Sequence, residues 1–231
     1  MRTCSLVLFL WLVAALPFNA QRQGITIDTA TPEGRLLQQV REESDDAKKV
    51  ALMEQFLAQY PKHEGAVWVC SQMIDSCAKL GQFDKAFAAA EKGLAQDPAG
   101  VETAYAAVKA AEAKKDPDAV RMWAVRSSDI ARKVAQAPKG GEEDDAAYKY
   151  RVDAAKHLDA YTEFALFDSA IKTPEPAKKV ELLKTLEERA PVAAGAAAPG
   201  SNAAARREGQ VHLTIRYADR RALNLSAQMV W

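Results

Sequence analysis

Cysteine is scarce in this chain, with three in 231 residues. Cys4 lies in the apolar N-terminal run, and Cys70 and Cys77 fall in one predicted helix. Seven residues at 1.5 Å each separate their Cα atoms by about 10 Å, beyond the roughly 7 Å that a disulfide tolerates. The two therefore cannot pair with each other and read as small buried apolar side chains. Aromatics make up only 7% of the chain, which disfavours a sheet sandwich built from aromatic and β-branched residues. Charge of one sign is also lacking: 31 basic and 31 acidic residues cancel. That balance signals neither a nucleic-acid footprint nor a polybasic membrane patch.

Catalytic signatures are missing as well. No HExxH, CxxC or CxxxC occurs, and no Gly-rich loop opens into a helix to cradle phosphate. The three histidines are isolated from one another: His63 follows Pro61 in a turn and reads as solvated. His157 falls on an apolar helical stripe and reads as a core histidine, and His212 sits near the C-terminus. The acidic clusters Asp45-Asp46 and Glu142-Glu143-Asp144-Asp145 stand at predicted helix starts, where negative charge opposes the helix dipole. They lack the spacing and the Gly of an EF-hand loop. The sequence thus predicts no catalytic residue, no metal site and no cofactor.

What is present begins with an N-terminal address. Arg2 precedes an uncharged apolar run, Leu6 to Leu16, which Pro17, Asn19 and Ala20 break. The run is shorter than the ~20 residues a membrane-spanning helix needs. Its pattern is that of a secretory signal peptide over residues 1–20. The expectation is an exported protein, periplasmic or secreted, with membrane attachment arising only through an uncleaved anchor. Cys is absent just after the run, which argues against a lipid-attached form.

The body of the chain is a series of helical periods. Ala47 to Pro61 (AKKVALMEQFLAQYP) and Ala177 to Pro191 (AKKVELLKTLEERAP) are near-copies about 130 residues apart. Val50, Met53, Phe56 and Leu57 form one helical stripe, with Val180, Leu183 and Leu186 as its counterpart. Leu36 to Arg41, Glu102 to Lys115 and a helix begun by Asp116-Pro117-Asp118 fill the interval. The stripe of that last helix is Val120, Trp123, Ala124, Ser127, Ala131 and Val134. A break at Pro138-Lys139-Gly140-Gly141 precedes a long helix from about Glu143 to Ile171, its expected core stripe being Tyr150, Ala154, His157, Tyr161, Phe164 and Ile171. The whole predicts an all-α array of about eight helices in up-down order over residues 34–190.

Within the array, Val67 to Gly100 reads as two amphipathic helices hinged at Gly81, with Phe83 after the turn, Ala86 at the crossing and Pro98 beyond the stop. The period is about 34 residues. This segment resembles a tetratricopeptide repeat, and the region as a whole is similar to tetratricopeptide-like proteins exported by bacteria. It departs from the pattern at Cys70, Met73, Ile74 and Cys77. The following pair has Lys115 in place of the turn Gly and Ser127 in place of Ala. The resemblance implies an α-solenoid whose first helices line a concave, partner-binding face. Mapped residue by residue, that face carries Trp68, Ser71, Asp75, Lys79, Tyr105, Lys109 and Glu112. Trp68 and Tyr105 would be its aromatic anchors, unless Trp68 simply covers the preceding helix.

Residues 191–231 do not continue the array. Val192 to Ala205 is a low-complexity run of Ala, Gly, Pro, Ser and Asn, and the basic residues after Pro191 are all Arg. Val211, Leu213, Ile215 and Tyr217 alternate with polar residues, as do Leu223, Leu225, Ala227, Met229 and Trp231. Such alternation is strand-like. A disordered linker with a weakly structured end, a shifted reading frame and a terminal barrel strand compete as explanations. The functional expectation is a scaffold binding a protein or peptide partner. A subunit self-associating through its C-terminal repeat edge is the alternative, and an envelope enzyme with a pocket around His157 comes third.

Overall fold

A computed structural model describes residues 27–189, together with the backbone of residues 210–216 and 222–228. Eight helices follow one another in the first segment: α1 Pro32–Glu42, α2 Asp46–Gln59, α3 Ala66–Lys79, α4 Phe83–Gln96, α5 Val101–Lys114, α6 Pro117–Gln136, α7 Asp145–Lys172 and α8 Pro176–Arg189. They form an all-α array of four successive antiparallel hairpins. Each helix packs on the next, and α3 also meets α5, α5 meets α7, and α6 meets α8. The expected signal peptide lies outside the described residues, as does the whole low-complexity run. Among the described residues no helix is long and apolar enough to cross a membrane.

Local sequence explains where the helices begin and end. Thr31, Asp45, Asp116 and Asp144 sit at N-caps, and their side chains accept from backbone N–H groups in the first turn. Such caps satisfy donors that have no partner inside the helix. Pro stands in the first turn of α1 and α6, where its missing N–H costs nothing. The α3–α4 turn passes through Gly81 at φ 71°, and the α5–α6 turn through Lys115 at φ 57°.

Packing uses small residues beside large ones, the arrangement that lets helices approach closely. Val50, Met53, Phe56 and Leu57 of α2 are buried, as are Val120, Trp123, Ala124, Ser127, Ala131 and Val134 of α6. Both stripes match the sequence reading. Cys70, Ile74 and Cys77 are fully buried on α3, and both thiols are free. Burial pushes their pKa values up, so they behave as packing side chains. Ser127 replaces an expected Ala without leaving a polar group unpaired, because its hydroxyl donates to the Ala104 carbonyl at 3.1 Å. Gly93 of α4 brings its helix close to its neighbours: a Cβ there would lie 3.1 Å from Thr103 Cγ2 and 3.2 Å from Cys70 Cβ.

Three sequence expectations require correction. On α8 the buried residues are Leu182 and Leu186, whereas Val180 and Leu183 are half-buried. His63 is not simply solvated: its Nδ1 accepts from the Gly65 N–H at 2.9 Å, and its ring meets Phe56 edge-on at 5.5 Å. The largest correction concerns α7. Its buried residues are Ala155, Leu158, Thr162, Ala165, Leu166 and Ala170. Tyr150 and His157 are exposed, and Ile171 is 54% exposed. Tyr150, His157 and Ile171 are turned to solvent, Ala154 and Tyr161 pack at the edge of the core, and the small residues with Leu face inward.

Ion pairs link alternate helices along the outer layer. Lys85 on α4 meets Glu54 on α2 at 2.7 Å, Arg126 on α6 meets Glu91 on α4, and Arg189 on α8 meets Asp129 on α6 at 2.9 Å. At the C-terminal end the backbone of β1 Gln210–Arg216 pairs antiparallel with β2 Ala222–Gln228, with Leu213 opposite Leu225 and Ile215 opposite Leu223. The strand-like alternation read from these residues corresponds to this hairpin; Tyr217, Met229 and Trp231 lie outside the described residues.

Candidate functional site

A groove enclosing about 1180 Å³ opens between α3, α5 and the N-terminal half of α7. These are the first helices of three successive hairpins, and direct α3–α5 and α5–α7 packing holds them side by side. On one wall Ser71 Oγ and Thr103 Oγ1 share a hydrogen bond of 3.0 Å, joining α3 to α5. Val101, Ala106, Ala154 and Leu158 supply apolar lining, and the rings of Tyr105 and Tyr150 flank it. Both tyrosines are open to solvent, at 37% and 62%.

Deeper in, aromatic and charged groups support the walls. Tyr105 and Tyr161 pack with ring centroids 4.8 Å apart. The Tyr161 hydroxyl donates to Glu112 at 2.5 Å. Burial first, and then this bond to Glu112, push Tyr161 ionisation far up, so it remains a neutral donor. Lys109 Nζ lies 3.7 Å from the Glu112 carboxylate and 5.7 Å from the centre of the Tyr161 ring. On the α7 wall Lys149 pairs with Asp153. Asp75 is exposed on the α3 wall, and desolvation raises its carboxyl pKa while Lys79 and Lys109 pull the other way.

Of the residues expected on the concave face, Ser71, Asp75, Tyr105 and Lys109 line this groove. Glu112 stands behind it as acceptor for Tyr161. Lys79 is directed elsewhere, its Nζ 3.7 Å from Asp46 of α2. Trp68 is half-buried and packs against the main core rather than lining the groove.

Sequence reasoning missed the α7 contribution: Tyr150, Asp153, Ala154, Lys156 and His157 all line the groove. His157, expected in the core, is a groove-wall residue. A signal for this existed in the Ala155, Leu158, Thr162 and Ala165 stripe. In an array packed through small residues, that stripe marks the inward face better than the aromatic one does. The groove offers apolar contact, two accessible tyrosine rings and separated charges of both signs, which is the chemistry of recognition. No protein-family profile and no curated protein matches the chain.

Proposed function

We propose that this chain is an exported interaction scaffold of the tetratricopeptide kind, holding a segment of a partner protein in the groove between α3, α5 and α7. The observation that carries the reading is the convergence of three first helices on one largely apolar groove flanked by accessible Tyr105 and Tyr150. Accessible tyrosines beside apolar lining make effective anchors, because each buries large area while losing little side-chain freedom. The turn residues Gly81 and Lys115, in equivalent hairpins, support the repeat assignment. Export rests on the N-terminal sequence alone.

Selection from a random library of capped nonapeptides against the full-length protein tests the reading. Peptides should be recovered, and Tyr105→Ala and Tyr150→Ala should each weaken them by roughly ten-fold with helix content unchanged. Recovery of nothing, or of peptides indifferent to both substitutions, overturns it. Light scattering on the same samples reads self-association, the competing role, as a doubling of mass that either groove substitution leaves intact.

A further inference from the structure

The charges in the groove are not equivalent, and their pairing narrows the partner. Among the described residues Lys149 is paired with Asp153, and Lys109 is held by Glu112 and the face of Tyr161. Lys79, the other cation near Asp75, is drawn to Asp46 on α2. Both lysines that act on Asp75 thus lie closer to other carboxylates. Among the described residues no hydrogen bond and no ion pair within 4.0 Å reaches Asp75 itself, on which Lys79 and Lys109 act only through space. Asp75 lines the α3 wall of the groove with Ser71 and Gln72, and Tyr105 lines it from α5.

Resting on the groove reading above, we infer that Asp75 is the docking point for one cationic side chain, Arg or Lys, of an otherwise apolar partner segment. An incoming cation gains the charge-assisted bond that Lys79 and Lys109 do not provide, and its stem lies along the apolar and tyrosine lining. Lys156, exposed on the α7 wall, acts together with Lys149 on Asp153. Counting every carboxylate and lysine that lines the groove, Asp75, Glu102 and Asp153 face Lys109, Lys149 and Lys156, a balance that favours a single basic residue over a basic run. A polybasic segment meets repulsion from Lys156, Lys149 and Lys109 as soon as Asp75 is satisfied.

The test uses the full-length protein and the capped nonapeptides it selects. The expected result is enrichment of sequences with one Arg or Lys among apolar residues. Asp75→Asn should lower their affinity about ten-fold, Asp75→Glu should retain most of it, and added salt should weaken wild type more than Asp75→Asn. Circular dichroism shows whether either variant has kept its helices. If the selected peptides lack a basic residue, or bind Asp75→Asn as well as wild type while still depending on Tyr105, the inference fails and the groove reading stands. Enrichment of acidic or polybasic peptides also overturns it. If no peptide is selected at all, the groove reading fails and this inference falls with it.

Discussion

Gly81 and Lys115 occupy equivalent turns 34 residues apart, and both take left-handed backbone, with φ of 71° and 57°. The backbone geometry is shared although the residue type is not. A Cβ at Gly81 would meet nothing within 4 Å, so the conformation itself decides what is tolerated there. Left-handed backbone costs a non-glycine residue about 1–2 kcal/mol. Lys115→Gly should therefore stabilise the chain by about 1 kcal/mol, and Gly81→Ala should destabilise it by a similar amount. Thermal unfolding followed by circular dichroism should show opposite shifts of about 2–4 °C. Shifts of the same sign would mean that the two turns are not equivalent.

Gly93 makes a contact prediction rather than a backbone one. Its α4 position faces Thr103 and Cys70 at distances that leave a Cβ only marginal room. Gly93→Leu should force α4 away from α3 and α5 at a cost of about 1–3 kcal/mol or more. The gain in helix propensity, about 1 kcal/mol, offsets only part of that. A denaturation midpoint at or above that of wild type would show that the interface can open at no cost.

The α7 register is testable by separating binding from stability. Leu158 is 1% exposed whereas Tyr150 is 62% exposed. Leu158→Ala should cost about 2–5 kcal/mol through the cavity it leaves. Tyr150→Ala should leave the unfolding midpoint within about 0.5 kcal/mol of wild type while weakening peptide capture. A large stability loss at Tyr150 would return the aromatic stripe to the core.

Glu163 supplies a pH dependence. Burial, with Asp159 nearby, raises its pKa to about 7, and Arg132, 4.0 Å away, only partly opposes this. The folded chain therefore holds this proton more tightly than the unfolded chain does. The resulting stability is fully present below the ordinary value near 4.5 and is lost as pH rises to about 7. Over that window stability should fall by up to about 3 kcal/mol from this residue. Glu163→Gln should flatten the profile: unfolding midpoints near wild type at about pH 4.5, and higher than wild type at about pH 8. Equal midpoints at the higher pH would show that the ionised carboxylate is not penalised.

Much of this molecule was legible in the sequence because helix periodicity and punctuation are local properties. Asp45, Asp116 and Asp144 mark helix starts through bonds to their own first turns. Gly81 and Pro98 mark a turn and a stop through constraints on their own backbone. The stripes of α2 and α6 were readable because each carries one continuous set of large apolar residues. From these the all-α array of hairpins follows.

Tertiary structure alone decided which face of α7 turns inward. That helix carries two competing stripes, one aromatic and one of Ala, Leu and Thr, and periodicity cannot choose between them. Close approach to α5, α6 and α8 admits the small stripe, with Leu158 and Leu166 filling the interface. Tyr150, Ala154 and His157 of the other stripe are thereby left to line a groove. The fate of individual charges was equally nonlocal. Lys79 lies near Asp46 of α2 and Lys109 over the Tyr161 ring of α7, contacts that only helices from different hairpins could make, whereas the Lys109–Glu112 pair is local to α5; among the described residues Asp75 has no ion pair. The sequence by itself determined the helices; the order in which their faces compete for contact determined the groove.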